Sequence, residues 1–415
     1  MTFQPIKAAA RIKNVKYAVR DVVIKAQELE KKGKKILYLN IGDPPAFDLD
    51  TPEHIKKAMI GYLGDRDLRP RLATYCDSMG IREAREAVMA YASRKGIPDV
   101  KLEDVMIASG ASEAITLAIG ALLNPGENIL TPCPGYPLYT GQIPVYGGEL
   151  RPYCLDEANE WQIDTDELER VVTAKTRAIV VINPNNPTGA VFNRESLLNV
   201  IRFAEKHNLI IFADEIYDQI LFDGEKHISI AAIAGDVPVL TFNGLSKNYV
   251  MPGWRVGWLI VHDPRGYMHD VVEGIRQLMR CRLCSPHLQQ YAIKVALEGP
   301  HTHREHMLVK FIERRDITFE MLNAIPGISC VKPRGAFYAY PRVQLPAGTD
   351  DNVFCLELLE ETGVLVVFGG GFGNAPGTSH FRVVFLPGPD ILREAYTRIA
   401  HFTAEFYTKH GYSPV

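Results

Sequence analysis

Four polar clusters in the sequence carry side chains whose types can do chemistry together. Lys247 closes Asn243-Gly244-Leu245-Ser246-Lys247, and a lysine amine can serve as a carbonyl nucleophile or as a general acid/base. Asp214-Glu215-Ile216-Tyr217 sets a carboxylate three residues from a phenol, and Asn183-Pro184-Asn185-Asn186-Pro187-Thr188-Gly189 supplies amides. Eight residues after Lys247, Gly253-Trp254-Arg255-Val256-Gly257 carries an arginine, whose planar fork suits phosphate. A fifth segment, Ser109-Gly110-Ala111-Ser112, sits where an apolar run gives way to a helical pattern, and backbone N–H groups at a helix start can bind an anion. A lone Ser-Lys or Asp-x-x-Tyr is most often an ordinary loop. Four clusters in this order, each at a strand end marked by an apolar run, point instead to one constructed site.

Those runs define the elements that position the clusters. Strand-like segments at 105–108, 129–131, 178–182, 209–213, 239–242 and 256–261 alternate with helical patterns at 112–123, 195–207 and after Tyr136. Such alternation predicts a mostly parallel sheet covered by helices on both faces, and ligands of such sheets collect beyond the carboxyl ends of the strands. An N-terminal helix at 21–32 carries Val22, Val23, Ala26 and Leu29 as a packed face and stops at Gly33. A long helical stretch is expected over 267–297. Beyond it, strand patterns at 328–332, 336–340, 364–368 and 381–385 mix with helical ones at 303–323, 353–361 and 391–406, the pattern of a smaller α+β domain. The expected division is an N-terminal arm and helix over 1–40, associated with the small domain, a large domain over 41–295 and a C-terminal small domain over 296–415.

Composition agrees with an ordinary globular protein. The 415 residues are 47% hydrophobic and 23% charged, too long for one typical domain and too apolar for disorder. A net charge of −3, from 46 basic and 49 acidic residues, argues against a nucleic-acid binder. Seven scattered cysteines read as reduced thiols of a cytoplasmic protein. Neither a signal-peptide core nor an apolar run of membrane-spanning length is apparent.

Taken together, Asn186-Pro187-Thr188-Gly189, Ser246-Lys247 and Arg255 resemble the signature of class I aminotransferases, over about residues 21–406. The segments 39–43 (LNIGD), 183–190, 214–218, 243–247, 330–338 and 380–387 are similar to the alanine (glutamate–pyruvate) branch of archaea and bacteria. The resemblance implies an α/β protein of fold type I that uses pyridoxal 5′-phosphate (PLP). It implies Lys247 as the Schiff-base anchor and proton carrier, Asp214 beside the pyridine nitrogen, Tyr217 and Asn186 on the phenolic oxygen, and Tyr136 stacked on the ring. Gly110, Ala111, Ser112, Ser246 and Arg255 would hold the phosphate, joined by Tyr75 from a second subunit of a homodimer with shared active sites. Gly42, Asn186 and Arg382 would take the substrate carboxylate, although Arg382 by itself reads as a charge on an edge strand.

The implied reaction is a ping-pong transfer from L-alanine to 2-oxoglutarate through a pyridoxamine phosphate form. Aspartate, aromatic or branched-chain donors are the first alternative, and a PLP-dependent lyase the second. A PLP-binding transcriptional regulator is disfavoured, because the residues before Gly42 leave no space for a helix-turn-helix domain. Two positions depart from the better-known aspartate enzymes: Gly244 stands where a phosphate-binding serine is common, and Ala111 where a glycine is. Cys281-x-x-Cys284 lacks a second pair at zinc spacing, so no metal is expected. His301, His303 and His306 read as a solvated helix start, and Gly369-Gly370-Gly371-Phe372-Gly373 as a flexible loop over the site. Arg280 and Arg282 read equally as a surface turn or as contacts for a distal substrate carboxylate.

Overall fold

The structure, a computed structural model, describes residues 4–15 and 18–414. The outer ends expected for the arm and the small domain, residues 1 and 415, lie outside the described residues. The alternating apolar runs build one eight-stranded sheet. Its strands along the chain are β1 (Val105–Ala108), β2 (Asn128–Cys133), β3 (Glu149–Asp156), β4 (Gln162–Ile163), β5 (Thr176–Ile182), β6 (Ile210–Asp214), β7 (Val239–Gly244) and β8 (Gly257–His262). Their order across the sheet is β1-β8-β7-β6-β5-β2-β3-β4. From β7 through β6, β5 and β2 to β3 every pairing is parallel. β8 runs antiparallel to both β1 and β7, and β4 antiparallel to β3.

Period-two alternation sends successive strand residues to opposite faces. Ile179 and Val181 join the core formed with helices Arg82–Arg94, Arg194–His207 and His287–Glu298. Ala178, Val180 and Ile182 join the core under helices Ala111–Leu122, Pro137–Val145 and His269–Cys281. Parallel register then brings the strand ends side by side, with Ile182 opposite Asp214 and Asp214 opposite Phe242. Antiparallel β8 starts at that same edge, Gly257 facing both Ala108 and Gly244. The sheet therefore gathers the loops after β1, β5, β6 and β7 and the turn before β8 on one rim.

A third core joins helices Thr302–Asn323, Asp351–Thr362 and Pro389–Lys409 to a three-stranded antiparallel sheet. In that sheet Phe381–Val384 lies between Tyr338–Ala339 and Val367–Phe368. The early strand Leu37–Tyr38 runs parallel beside Val364–Leu365, and the Val384 N–H donates to the Leu39 carbonyl at 2.9 Å. Helix Ala18–Lys31 buries Val22 and Ala26. At the seam between the sheets, the Arg334 and Gly335 N–H groups donate to the Gly189 carbonyl at 2.9 and 2.8 Å. Gly189 has φ +73°, and a Cβ there would stand 2.6 Å from Pro333 Cβ, so conformation and space both call for glycine.

Three differences from the expected elements have local causes. The stretch 267–297 is two helices, His269–Cys281 and His287–Glu298, because Pro286 lacks an N–H and can only begin a helix. β3 was not foreseen, since its first four residues, Glu149, Leu150, Arg151 and Pro152, are exposed and make no apolar run. The expected strand 364–368 divides into Val364–Leu365, beside the N-terminal segment, and Val367–Phe368, beside Phe381–Val384.

Candidate active site

The rim closes over a cavity of about 490 Å³, within the range of small-molecule sites. Gly42, Ala111, Ser112, Tyr136, Asn186, Asp214, Tyr217, Ser246, Lys247, Arg255 and Arg382 all line it. Every candidate residue is thus brought together except Gly110, which lies behind Arg255, and Tyr75. Tyr75 is 78% exposed and does not line the cavity.

Lys247 follows β7 and points its Nζ at the Gly42 carbonyl, 2.6 Å away. The Phe337 ring lies 5.6 Å from the amine. Burial lowers the amine to about 8; Asp43 opposes this, while Arg382 and Arg255 add to it. Asp214 ends β6 and is buried. Burial pushes its carboxyl up to about 6, against the N–H of Ile216 and the Tyr139 hydroxyl, which donates at 3.2 Å. A buried acid held by a phenol and a backbone N–H is suited to receive a cationic ring N–H.

At the other end, Arg255 has left-handed φ +55°, which folds its side chain back on the start of helix Ala111–Leu122. Its guanidinium donates to the Pro252 and Ser109 carbonyls at 2.9 and 3.3 Å and to Ser112 Oγ at 3.4 Å. A Cβ at Gly110 (φ +81°) would come within 2.5 Å of Arg255 Nη2, and one at Gly257 within 2.3 Å of the Ala111 nitrogen. Helix start and guanidinium therefore form a cradle for an anion in which main-chain atoms approach closely. The departure at Gly244 has a steric reason, because a Cβ there would stand 2.6 Å from the Val256 carbonyl oxygen.

Arg382 arrives from the smaller sheet. Its Nη1 donates to Asn186 Oδ1 at 3.1 Å and its Nη2 to the Asn40 carbonyl. The guanidinium lies between the rings of Tyr338 and Phe372, 4.6 Å from each. That geometry fixes the plane of a fork able to take a carboxylate in two parallel hydrogen bonds.

The sequence profile of the family described as Aminotransferase class I and II matches residues 34–399. The chain belongs to the class I and II aminotransferases. The Glutamate-pyruvate aminotransferase AlaA of Escherichia coli (strain K12) is 41% identical over 408 residues, 97% of this chain and 99% of the relative. The solved alanine aminotransferase from Pyrococcus furiosus superposes with a TM-score of 0.92 at 42% identity, covering 96% of this chain and all of that one. A solved aspartate aminotransferase from Thermus thermophilus, a double mutant, gives 0.85 at 30% identity, covering 96% of this chain and all of that one. Aminotransferases of this class depend on PLP, and the expected fold type I architecture is the one this chain shares with them.

Several residues of this aminotransferase behave differently from the sequence reading. The glycine-rich segment 369–373 is pinned, not loose: the Tyr340 hydroxyl donates to the Gly369 carbonyl at 3.0 Å and the Gly135 N–H to the Phe372 carbonyl at 2.8 Å. The turn thereby delivers the Phe372 ring to Arg382. His303 is half-buried rather than solvated, its Nε2 3.0 Å from the Asn248 carbonyl next to Lys247. Arg282 pairs with Glu113 at 3.1 Å and donates to the Ile107 carbonyl at 3.1 Å, while exposed Arg280 pairs with Glu273 at 2.5 Å. Neither lines the cavity. Tyr139 escaped the sequence reading; Tyr338 lay within the family-like segment 330–338 and Phe372 within the glycine-rich segment 369–373, but neither was given a role. Among the described residues, no group of three or more His, Cys, Asp or Glu side chains could hold a metal ion, and no helix is long and apolar enough to cross a membrane.

Proposed function

We propose that this aminotransferase moves the amino group of L-alanine to 2-oxoglutarate, with PLP held by Lys247. The observation that carries the reading is one cavity joining a half-buried lysine whose amine is lowered to about 8, a buried acid raised to about 6 and a ring-flanked arginine. The donor set fits the cofactor: an anion cradle at one end, an acid for the ring nitrogen at the other and a lysine between them. When bound, PLP supplies the electron sink that makes the substrate Cα–H bond acidic.

The residues divide the remaining work. Gly110, Ala111, Ser112, Ser246 and Arg255 hold the phosphate. Asp214 would keep the pyridine nitrogen protonated, and the Tyr139 hydroxyl keeps Asp214 aimed. Tyr217 and Asn186 would donate to the phenolic oxygen, and Tyr136 would cover the ring face. Lys247 would accept the proton released from the substrate Cα and hand it back to the cofactor. Arg382, Asn186 and Gly42 hold the α-carboxylate. Ile41, Leu138 and Ile216 add apolar lining to the same cavity, against which a methyl side chain can pack. The relatives named for alanine support the same donor.

The decisive experiment follows the visible absorbance of the purified protein. L-Alanine alone bleaches the band of the bound cofactor, and 2-oxoglutarate restores it. A band that alanine leaves intact but aspartate, an aromatic or a branched-chain amino acid bleaches would replace the donor. Release of product without bleaching would favour a lyase.

R382K is expected to reduce kcat/KM for alanine by roughly 10²-fold, mostly through KM, because an ammonium cannot reproduce the two-pronged contact. An unchanged KM would remove Arg382 from substrate capture. Tyr75, exposed and outside the cavity of its own chain, belongs in this reading to the phosphate site of a second copy. Light scattering should then give twice 46.4 kDa, and a monomer as active as any larger species would end the shared-site assignment.

A further inference from the structure

Tyr338 stands where the two halves of the site meet. Its hydroxyl is 2.8 Å from the Tyr217 hydroxyl. The same oxygen would lie 2.2 Å from a Cβ on Gly42, the residue whose carbonyl receives Lys247. Its ring is one of the two plates against Arg382, at 4.6 Å. Tyr338 is buried, and its backbone pairs with Val384, two residues beyond Arg382. One side chain therefore touches a residue that faces the cofactor and one that faces the substrate.

We infer that Tyr338 is a positioning residue with two separable parts: its hydroxyl donates to Tyr217 and makes that phenol a better donor to the cofactor's phenolic oxygen, while its ring fixes the plane of Arg382. The inference rests on the proposed PLP function. The direction of the phenol pair follows from proton count. Each tyrosine has one proton to give. If Tyr217 spends its proton on the cofactor oxygen, its own oxygen remains free to accept, and Tyr338 is the donor placed to fill it. A chain of two phenols polarises each member, strengthening the terminal bond by roughly 10–30%. Gly42 takes part by leaving room for the hydroxyl.

The test compares Y338F, Y338L, Y217F and the double variant Y217F/Y338F with the wild-type holoenzyme. The main readout is the pH midpoint of the visible band of bound PLP. The high-pH form has lost the proton that neighbours the phenolic oxygen and leans harder on donors to that oxygen, so a weaker donor there moves the midpoint up. Y338F is expected to raise it by roughly 0.2–0.6 of a pH unit. In the Y217F background the same change adds nothing, because the phenol through which it acts is gone. Y338L also loses the ring, raising KM for both alanine and pyruvate by roughly 3–30-fold, more than Y338F does.

An unmoved midpoint in Y338F, or the same rise with and without Tyr217, overturns the inference while leaving the proposed function intact. A wild-type protein that takes up PLP without a visible band overturns the proposed function and this inference with it. Should Y338L fail to fold, Y338F and the double variant still decide the hydroxyl's role, which packing alone would not reveal.

Discussion

K247A is expected to lower turnover with alanine and 2-oxoglutarate by at least roughly 10⁴-fold, since it removes both the covalent anchor and the proton carrier. The proposed phosphate cradle at Gly110, Ser112 and Arg255 is untouched, so PLP should still bind, but reversibly. Single-turnover bleaching by alanine measures the loss, and partial rescue by added methylamine would assign it to the missing amine. Turnover within tenfold of wild type would sink the assignment of Lys247. The same amine sets a pH dependence. Only its neutral form attacks a carbonyl, and burial brings it to about 8 from the ordinary 10.5. Covalent uptake of PLP by the apoprotein should therefore accelerate as pH rises and level off above about 8; acceleration persisting to pH 10 would contradict the role of burial. For stability the sign is the same. Between about 8 and 10.5 the unfolded chain holds a proton at Lys247 that the folded apoprotein has released, so this group's contribution improves as pH climbs through that window.

D214N is expected to act in opposite directions on stability and on catalysis. The Asp214 carboxyl is raised from 3.8 to about 6 by burial. The folded apoprotein thus keeps a proton that the unfolded chain releases across that interval. The cost of the buried charge grows as pH rises through the interval and is complete above it. At neutral pH it is on the order of 3 kcal/mol. Asparagine retains a partner for the Tyr139 hydroxyl and carries no charge, so apo D214N melts higher than the wild-type apoprotein. With PLP present the order reverses, because the cationic ring nitrogen loses its counter-ion; turnover falls by roughly 10³-fold. Thermal melts with and without PLP, beside steady-state rates, test both signs. Apo D214N that melts lower, with turnover unchanged, would show that Asp214 serves only the fold.

Lys247, Asp214 and Arg255 were legible in the sequence because each lies at or within three residues of one end of an apolar strand. A parallel sheet aligns such ends without further information. Arg382 was legible only by resemblance, since its meaning depends on Asn186 and Asn40, which are 196 and 342 positions away. Tyr338 and Phe372 lay further from view. What makes them functional is the guanidinium between their rings, a contact that leaves no periodicity and no motif. His303 looked solvated because its helix begins with several polar residues, yet its partner is the main chain beside Lys247. The short strands of the smaller sheet, two residues each in Tyr338–Ala339 and Val367–Phe368, are fixed by their partners more than by local pattern. Alternation over two residues is too brief to register.

The interleaving of Leu37–Tyr38 with Val364–Leu365, and of Asn40 with Arg382, has a consequence for how the protein is made. On the ribosome, the anion cradle from Gly110 to Gly257 emerges and can fold while the segment bearing Arg382 is still untranslated. Residues 37–42 must wait, their strand partner and the arginine they receive arriving more than 300 codons later. A nascent chain stalled before Phe372 would carry the lysine, the acid and the anion site, yet lack the arginine proposed to clamp the carboxylate. On that proposal, recognition of the amino acid is among the last properties that translation confers.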